Sequence, residues 1–276
     1  LTCPETELVD LVEQQHGYHL VPTFTSDAPL IGGRRWEVLE SSDEAISYRT
    51  RHGDLEIVAS YTIPEQGFLL GYEVVVRNLG DDSRSLQPRF SVIEAIERAE
   101  SRYAASTTPF VTREGKTKEY QVKQIDKRGL QRMDGVPIMF GGVMHRYWMT
   151  ALVPNEPAAA FETAAIGWLS DDGLELVQNA PLTEDAELAP KAYRATLAMA
   201  DRTLAPGESA TYTFDLFMGP KVLSDLKEYG LGLDQTVKYG LFSIIARPML
   251  WLLNFLYGLV GSWGLAIILL TAVVKL

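Results

Sequence analysis

A single cysteine, Cys3, stands among 276 residues, so the chain can build neither an internal disulfide framework nor a cysteine-based zinc site. Histidine is almost as scarce: His16, His19, His52 and His145. His16 and His19 have an i, i+3 spacing that could suit a metal, but Gly17 lies between them and no third ligand is near, so they read as a surface loop. His52 precedes Gly53 and reads as a turn residue, and His145 reads as half-buried structure in a strand. Arg34-Arg35 reads as a solvated loop rather than a basic patch. The formal charge of −11 excludes a non-specific nucleic-acid binder, which depends on clustered Lys and Arg. No glycine-rich phosphate loop is present, since Gly230 and Gly232 stand alone, and no motif for a cofactor is found.

The charge is also unevenly spread. Residues 1–236 hold all 36 acids and 22 of the 25 basic residues, a net of −14, whereas residues 237–276 hold only Lys238, Arg247 and Lys275. Between Pro248 and Val274 there are 27 residues with no charged side chain. Next to a polar, acidic domain, such a run reads as membrane-embedded. The chain starts at Leu1 and stops within the apolar stretch at Leu276, as expected of a piece of a longer protein.

Residues 18–219 read as strands and turns. Leu55, Ile57, Ala59 and Tyr61 alternate with Glu56, Val58 and Ser60; Leu70, Tyr72, Val74 and Val76 alternate likewise, up to the break at Asn78-Leu79-Gly80. Further strand runs are expected at 142–153, 159–169, 174–179, 192–200 and 209–218, with turns at Pro154–Pro157, Asp171–Gly173 and Pro206–Glu208. This spacing predicts a mainly β fold, an antiparallel sandwich. Residues 91–104 read equally as strand or helix. Residues 116–131 read as a polar excursion with some helix, and 222–229 as one short helix.

Two apolar elements come next, joined at Gly261-Ser262. In the first, 237–260, Ser243, Arg247 and Asn254 fall within about 40° of one another on a helix. A narrow polar stripe on an apolar helix carrying Trp251 and Tyr257 suits the membrane interface. Pro248 should kink this helix or start a new one as its first residue. The second element opens at Trp263, an interfacial anchor, and its 14 residues to Leu276 reach about 20 Å, short of the roughly 30 Å hydrocarbon core. Spacing leaves two readings of Lys275: a lysine that snorkels to headgroups, or a functional intramembrane cation.

Three ordered motifs carry a resemblance. Leu233-Asp234-Gln235-Thr236-Val237-Lys238-Tyr239-Gly240, then Ala246-Arg247-Pro248-Met249-Leu250-Trp251-Leu252-Leu253, then Val260-Gly261-Ser262-Trp263-Gly264 and the apolar run to Thr271, resemble the YidC/Oxa/Alb family of membrane insertases. The Gly-Ser-Trp-Gly turn departs mildly from that family's Gly-Asn-Trp-Gly. Leu204–Glu208 with Phe217–Lys221, His145–Pro154 and Tyr72–Asn78 are similar to strands of its periplasmic domain.

The resemblance implies a galactose-mutarotase-like β-supersandwich in the periplasm over 1–236. It implies an amphipathic interfacial helix over 237–261 and the start of a transmembrane helix over 262–276. It further implies an inner-membrane insertase and chaperone, no catalytic residue, and Lys275 as the cation of a client groove. The implied partners are nascent inner-membrane proteins, the bilayer and the Sec translocon (SecYEG, SecDF). A reading from another class is a membrane-anchored periplasmic carbohydrate-binding or epimerase-like module. The two differ in the sequence they require beyond Leu276: an insertase needs further membrane segments, an anchored module none.

Overall fold

Alternation in the sequence becomes two facing sheets. The computed structural model describes residues 20–24, 36–96, 107–167, 191–237 and 243–275. Cys3, His16, His19, Arg34, Arg35 and the strand expected at 174–179 lie outside the described residues, as does the turn at Asp171–Gly173. The chain forms two compact units, 1–222 and 223–276.

Sixteen strands are described in the first unit: β1 Leu20–Phe24, β2 Glu37–Ser41, β3 Ala45–His52, β4 Leu55–Thr62, β5 Leu69–Asn78, β6 Arg84–Leu86, β7 Pro88–Ile96 and β8 Thr108–Arg113, then β9 Lys116–Glu119, β10 Gln131–Ile138, β11 Phe140–Met144, β12 Trp148–Pro154, β13 Ala158–Gly167, β14 Lys191–Ala198, β15 Arg202–Leu204 and β16 Ser209–Pro220. One sheet runs β2-β3-β4-β5-β16-β12-β11-β8-β9 and the other β1-β7-β14-β13-β10, while β6 and β15 pair alone. Every described pairing is antiparallel. The expected antiparallel sandwich is therefore the fold.

The core lies where the inner faces meet. On β4, Leu55, Ile57 and Ala59 are buried while Glu56, Val58 and Ser60 are half-exposed. Phe90 of β7 sits 4.5 Å from the Phe214 ring and 5.4 Å from the Tyr212 ring of β16, joining the two sheets. Burying one such phenyl group contributes about 2–3 kcal/mol. Gly141 keeps the layers close, because a Cβ there would press on Phe161 and Leu197 of the opposite sheet.

Asn78 ends β5 with more than a turn propensity. Its side-chain amide donates to the Asp82 and Leu204 carbonyls at 2.8 and 3.1 Å, and its Oδ1 accepts from Gly80 N–H at 3.0 Å. That one buried side chain ties the β5–β6 turn to β15.

The run expected as one strand at 142–153 is instead a hairpin, β11 and β12, turning at His145–Tyr147 with His145 N–H donating to the Trp148 carbonyl at 2.7 Å. Both strands are buried on both faces, so no alternation marks the turn. Gly142 permits the pairing, since a Cβ there would overlap the Thr150 carbonyl oxygen. The ambiguous segment from 91 is strand as far as Ile96, and residues 97–106 lie outside the described ones. The polar excursion holds β9 and one helix, α1 (Val122–Arg128).

Tyr61 lies on Tyr72, the rings stacked at 4.8 Å, and burial pushes its phenol up to about 12. A raised tyrosine pKa favours the neutral form in the fold. The resulting stability is complete below the unfolded value near 10 and is lost as pH climbs toward 12. Denaturant titrations should therefore show stability falling between pH 10 and 12, with a shallower fall for Tyr61→Phe. Equal slopes for the two proteins would contradict this.

Candidate functional site

The second unit is built from helices. α2 (Leu223–Glu228) is followed by a 3-10 turn, Leu233–Thr236, then α3 (Ser243–Val260) and α4 (Trp263–Lys275). Gly230 and Gly232, with φ of 69° and 74°, supply the left-handed positions before the 3-10 turn, where any other residue is strained. Inside that turn the Thr236 hydroxyl donates to the Leu233 carbonyl at 2.7 Å and is buried.

Pro248 does not start a new helix: α3 runs continuously from Ser243 through Pro248 to Val260, with the proline inside it. Gly261, φ 66°, turns the chain, and α4 packs back on α3. The Tyr257 and Trp263 rings stack across the turn at 4.0 Å and 13°. The joint expected at Gly261-Ser262 and the helix start at Trp263 are both found.

Exposure then divides α3 into faces. Met249, Leu252, Leu253, Leu256, Tyr257 and Val260 are half-buried and form one side. Pro248, Trp251, Phe255 and Leu259, spaced i, i+3, i+7 and i+11, form a single exposed ridge. Trp251 is 68% and Leu259 68% exposed, and the Trp251 and Phe255 rings stack at 5.8 Å. Asn254 is exposed beside this ridge, about 60° from Trp251 on the helical wheel. Ser243 and Arg247 fall at helical spacing on the Asn254 strip, but their side chains are outside the described ones.

On α4, Ala266 is fully buried and Leu270 half-buried, while Leu265, Ile267, Ile268, Leu269, Val273 and Val274 are exposed on several sides. Thr271, its one described hydroxyl-bearing residue, donates to the Ile267 carbonyl at 2.8 Å and so needs no water. Lys275 is the last residue of α4, four positions beyond Thr271 on the same strip; its side chain is outside the described ones. Among the described residues no helix is long and apolar enough to cross a membrane. Still, 11 of the 20 large, exposed apolar side chains among the described residues fall between Leu250 and Val274, a density ordinary soluble surfaces do not carry.

Among the described residues the sandwich offers a competing site. A cavity of about 400 Å³ at the rim of the five-stranded sheet is lined by Arg89, Arg132, Asp201 and the small side chains of Ala159, Ala160 and Ala198. Beside it Glu162, almost fully buried, accepts from Arg132 Nη1 at 2.9 Å and lies 3.6 Å from Arg89 Nε. Burial lowers the Arg194 guanidinium, and Glu162 partly offsets this. Arg89, close by, lowers it further. No histidine is among the described residues that line the cavity. His145 Nδ1 instead meets the Thr107 hydroxyl at 3.0 Å. Among the described residues no group of three or more His, Cys, Asp or Glu gathers as a metal site.

A profile of the YidC periplasmic domain matches residues 36–252. The chain belongs to the YidC periplasmic-domain family. It is 28% identical over 235 residues to the membrane protein insertase YidC of Thioalkalivibrio sulfidiphilus, covering 82% of this chain and 37% of that protein. To the same-named protein of Methylobacillus flagellatus it is 25% identical, covering 92% and 42%. The match to that of Nitrosococcus oceani reaches 45% identity, over 30% and 15%. The chain thus spans about two fifths of the YidC proteins that it matches along most of its own length. These relatives are named insertases, not enzymes of sugar metabolism. A putative aldose 1-epimerase from Escherichia coli K12 has a similar structure with a TM-score of 0.45 and 11% identity over 67% of this chain and 68% of that one. A galactose mutarotase-like protein from Lactobacillus casei scores 0.45 at 10% identity over 66% and 72%. Neither likeness carries an argument about chemistry.

If the Tyr257–Trp263 stack fastens the helical hairpin, Trp263→Ala should loosen it by about 1 kcal/mol. Spin labels at positions 250 and 269 in detergent should then give a visibly broader distance distribution than in the parent. An unchanged distribution would show that Gly261 and helix packing suffice.

Proposed function

We propose that this chain is the periplasmic domain and a membrane-contacting helical hairpin of an inner-membrane protein insertase. The observation that supports it most is the match to the YidC periplasmic domain, which runs on from the sandwich into α3. Residues 1–236 lie in the periplasm, 237–261 lie along the membrane interface, and 262–276 enter the bilayer. The α3 ridge of Trp251, Phe255 and Leu259 faces acyl chains, while Ser243, Arg247 and Asn254 face water. Tyr257 and Trp263 sit at headgroup depth.

Clients are nascent inner-membrane proteins, received alone or from the Sec translocon, and the protein also serves as a chaperone for their folding. Lys275 supplies the cation of a hydrated groove. A client's polar segment enters this groove rather than bare hydrocarbon, which lowers the cost of carrying unpaired backbone and charge across. Its apolar segment then slides into lipid. No covalent bond is made, so no acid, base or nucleophile is required.

An ion pair at 4 Å is worth about 1 kcal/mol in water but about 4 kcal/mol at an effective dielectric near 20. In the full-length protein Lys275→Arg should therefore keep insertion, while Lys275→Glu should slow clients with acidic translocated segments by about tenfold or more and spare neutral ones. Paired clients, acidic and neutral, measure this directly. Full activity of Lys275→Glu on the acidic client would remove Lys275 from the mechanism.

A further inference from the structure

The first unit has an apolar tip that the family assignment does not explain. Nine of its large apolar side chains are exposed among the described residues, and four of them gather where β16 ends: Phe68, Tyr147, Trp148 and Val222. Tyr147 is 75% exposed, the most of any large apolar side chain so described. The cluster is built rather than accidental. Trp148 pairs with Pro220, Lys221 N–H donates to the Tyr147 carbonyl at 2.8 Å, and Met218 N–H donates to the Phe68 carbonyl at 2.9 Å. The Phe68 ring meets Trp148 edge-on at 5.9 Å. Gly219 makes room for that ring, since any Cβ there would overlap it.

The charge at this tip differs from that of the unit around it. Segments 64–68, 145–148 and 220–222 carry Arg146 and Lys221 against one acid, Glu65, in a region whose residues 1–236 total −14. The Arg146 guanidinium lies 6.0 Å from the Tyr147 ring centroid. Asp43 and Glu44 stand at the same end of the sheet, on the β2–β3 turn: the Glu44 carbonyl accepts from Ile63 N–H at 2.8 Å, next to segment 64–68, while the β11–β12 turn that carries Arg146 is about 15–20 Å further along the sheet by strand spacing.

We propose that this tip, Phe68 with the β11–β12 turn and Lys221-Val222, docks into the headgroup layer of the membrane. Tyr and Trp favour that layer because each has an apolar body and a polar edge. Arg146 and Lys221 add attraction to anionic lipid, while the acidic remainder of the sandwich is repelled. The occupant follows from covalent continuity as well: Val222 is the last residue of this unit, and the chain passes from it toward the uncharged run that begins at Pro248. The inference rests on the membrane reading of α3, so its test must separate the two.

In a Cys3→Ser background, single cysteines replacing Gln66, Asp81 or Trp251 carry an environment-sensitive fluorophore. The full chain is mixed with phosphatidylethanolamine–phosphatidylglycerol vesicles containing headgroup-proximal nitroxide lipid. Gln66 is beside Phe68, whereas Asp81 lies beyond the far end of β5, about 30 Å away. The label at 66 should be quenched about threefold more than that at 81, because interfacial burial falls off within one headgroup layer. Arg146→Glu with Tyr147→Asp should bring it down to the level at 81. Quenching at 251 but not at 66 would overturn the tip proposal alone and mark the tip as water-facing or protein-binding. Quenching at neither would overturn the membrane reading too. Quenching at 66 that survives both substitutions would show that these side chains do not mediate the contact.

Discussion

Twenty-seven consecutive residues without a charge, folded into helices too few to hide one another, constrain everything else in this chain. Two helices back to back can bury one side each. Ala266, Leu270 and the half-buried side of α3 take that share. The exposed remainder, eleven large apolar side chains, represents of order 10 kcal/mol of burial that the described unit does not collect. Lipid, or further apolar helices, can supply it. The Thr271 hydroxyl bonded to its own backbone is already suited to a place without water.

The sandwich solves the opposite problem. Its apolar surface is consumed internally, where Phe90 reaches from one sheet to Tyr212 and Phe214 of the other. Its outer faces and turns carry the acids, with charge pairs such as Arg49–Glu37 at 2.7 Å left exposed, where they are worth little. An acidic surface remains soluble and is repelled by anionic lipid, so a membrane-facing part of it has to be locally different. The aromatic, cationic tip at Tyr147 is that difference.

Much of this is legible in the sequence, and the rest is hidden for definable reasons. β4, β5 and β16 announce themselves because one face is buried and the other is not, which writes period two into the residues. β11 and β12 read as one run because both of their faces are buried. β10 escapes notice because Gly135 and Pro137 interrupt it, although an edge strand tolerates both where its ladder shifts between Asp134 and Ile138. The helix pair and its Gly261 joint are visible because charge is absent there. The Glu162–Arg132 contact is not, because partners thirty residues apart meet only through sheet register. Nor can the sequence distinguish an exposed Tyr147 from a buried Tyr72, since both sit in strand-like apolar runs.

On the proposed membrane reading, apolar helix surface rather than charge holds this chain at the bilayer. Flotation of the full chain with vesicles of bacterial lipid, in low salt and in 1 M salt, measures it most directly, because screening at about 3 Å removes electrostatic adsorption and leaves apolar insertion. The prediction is that the chain floats under both conditions and that Trp251→Asp with Ile268→Asp shifts it toward the unbound fraction. A parent chain released by salt, or a double variant that floats as well as the parent, would contradict the claim.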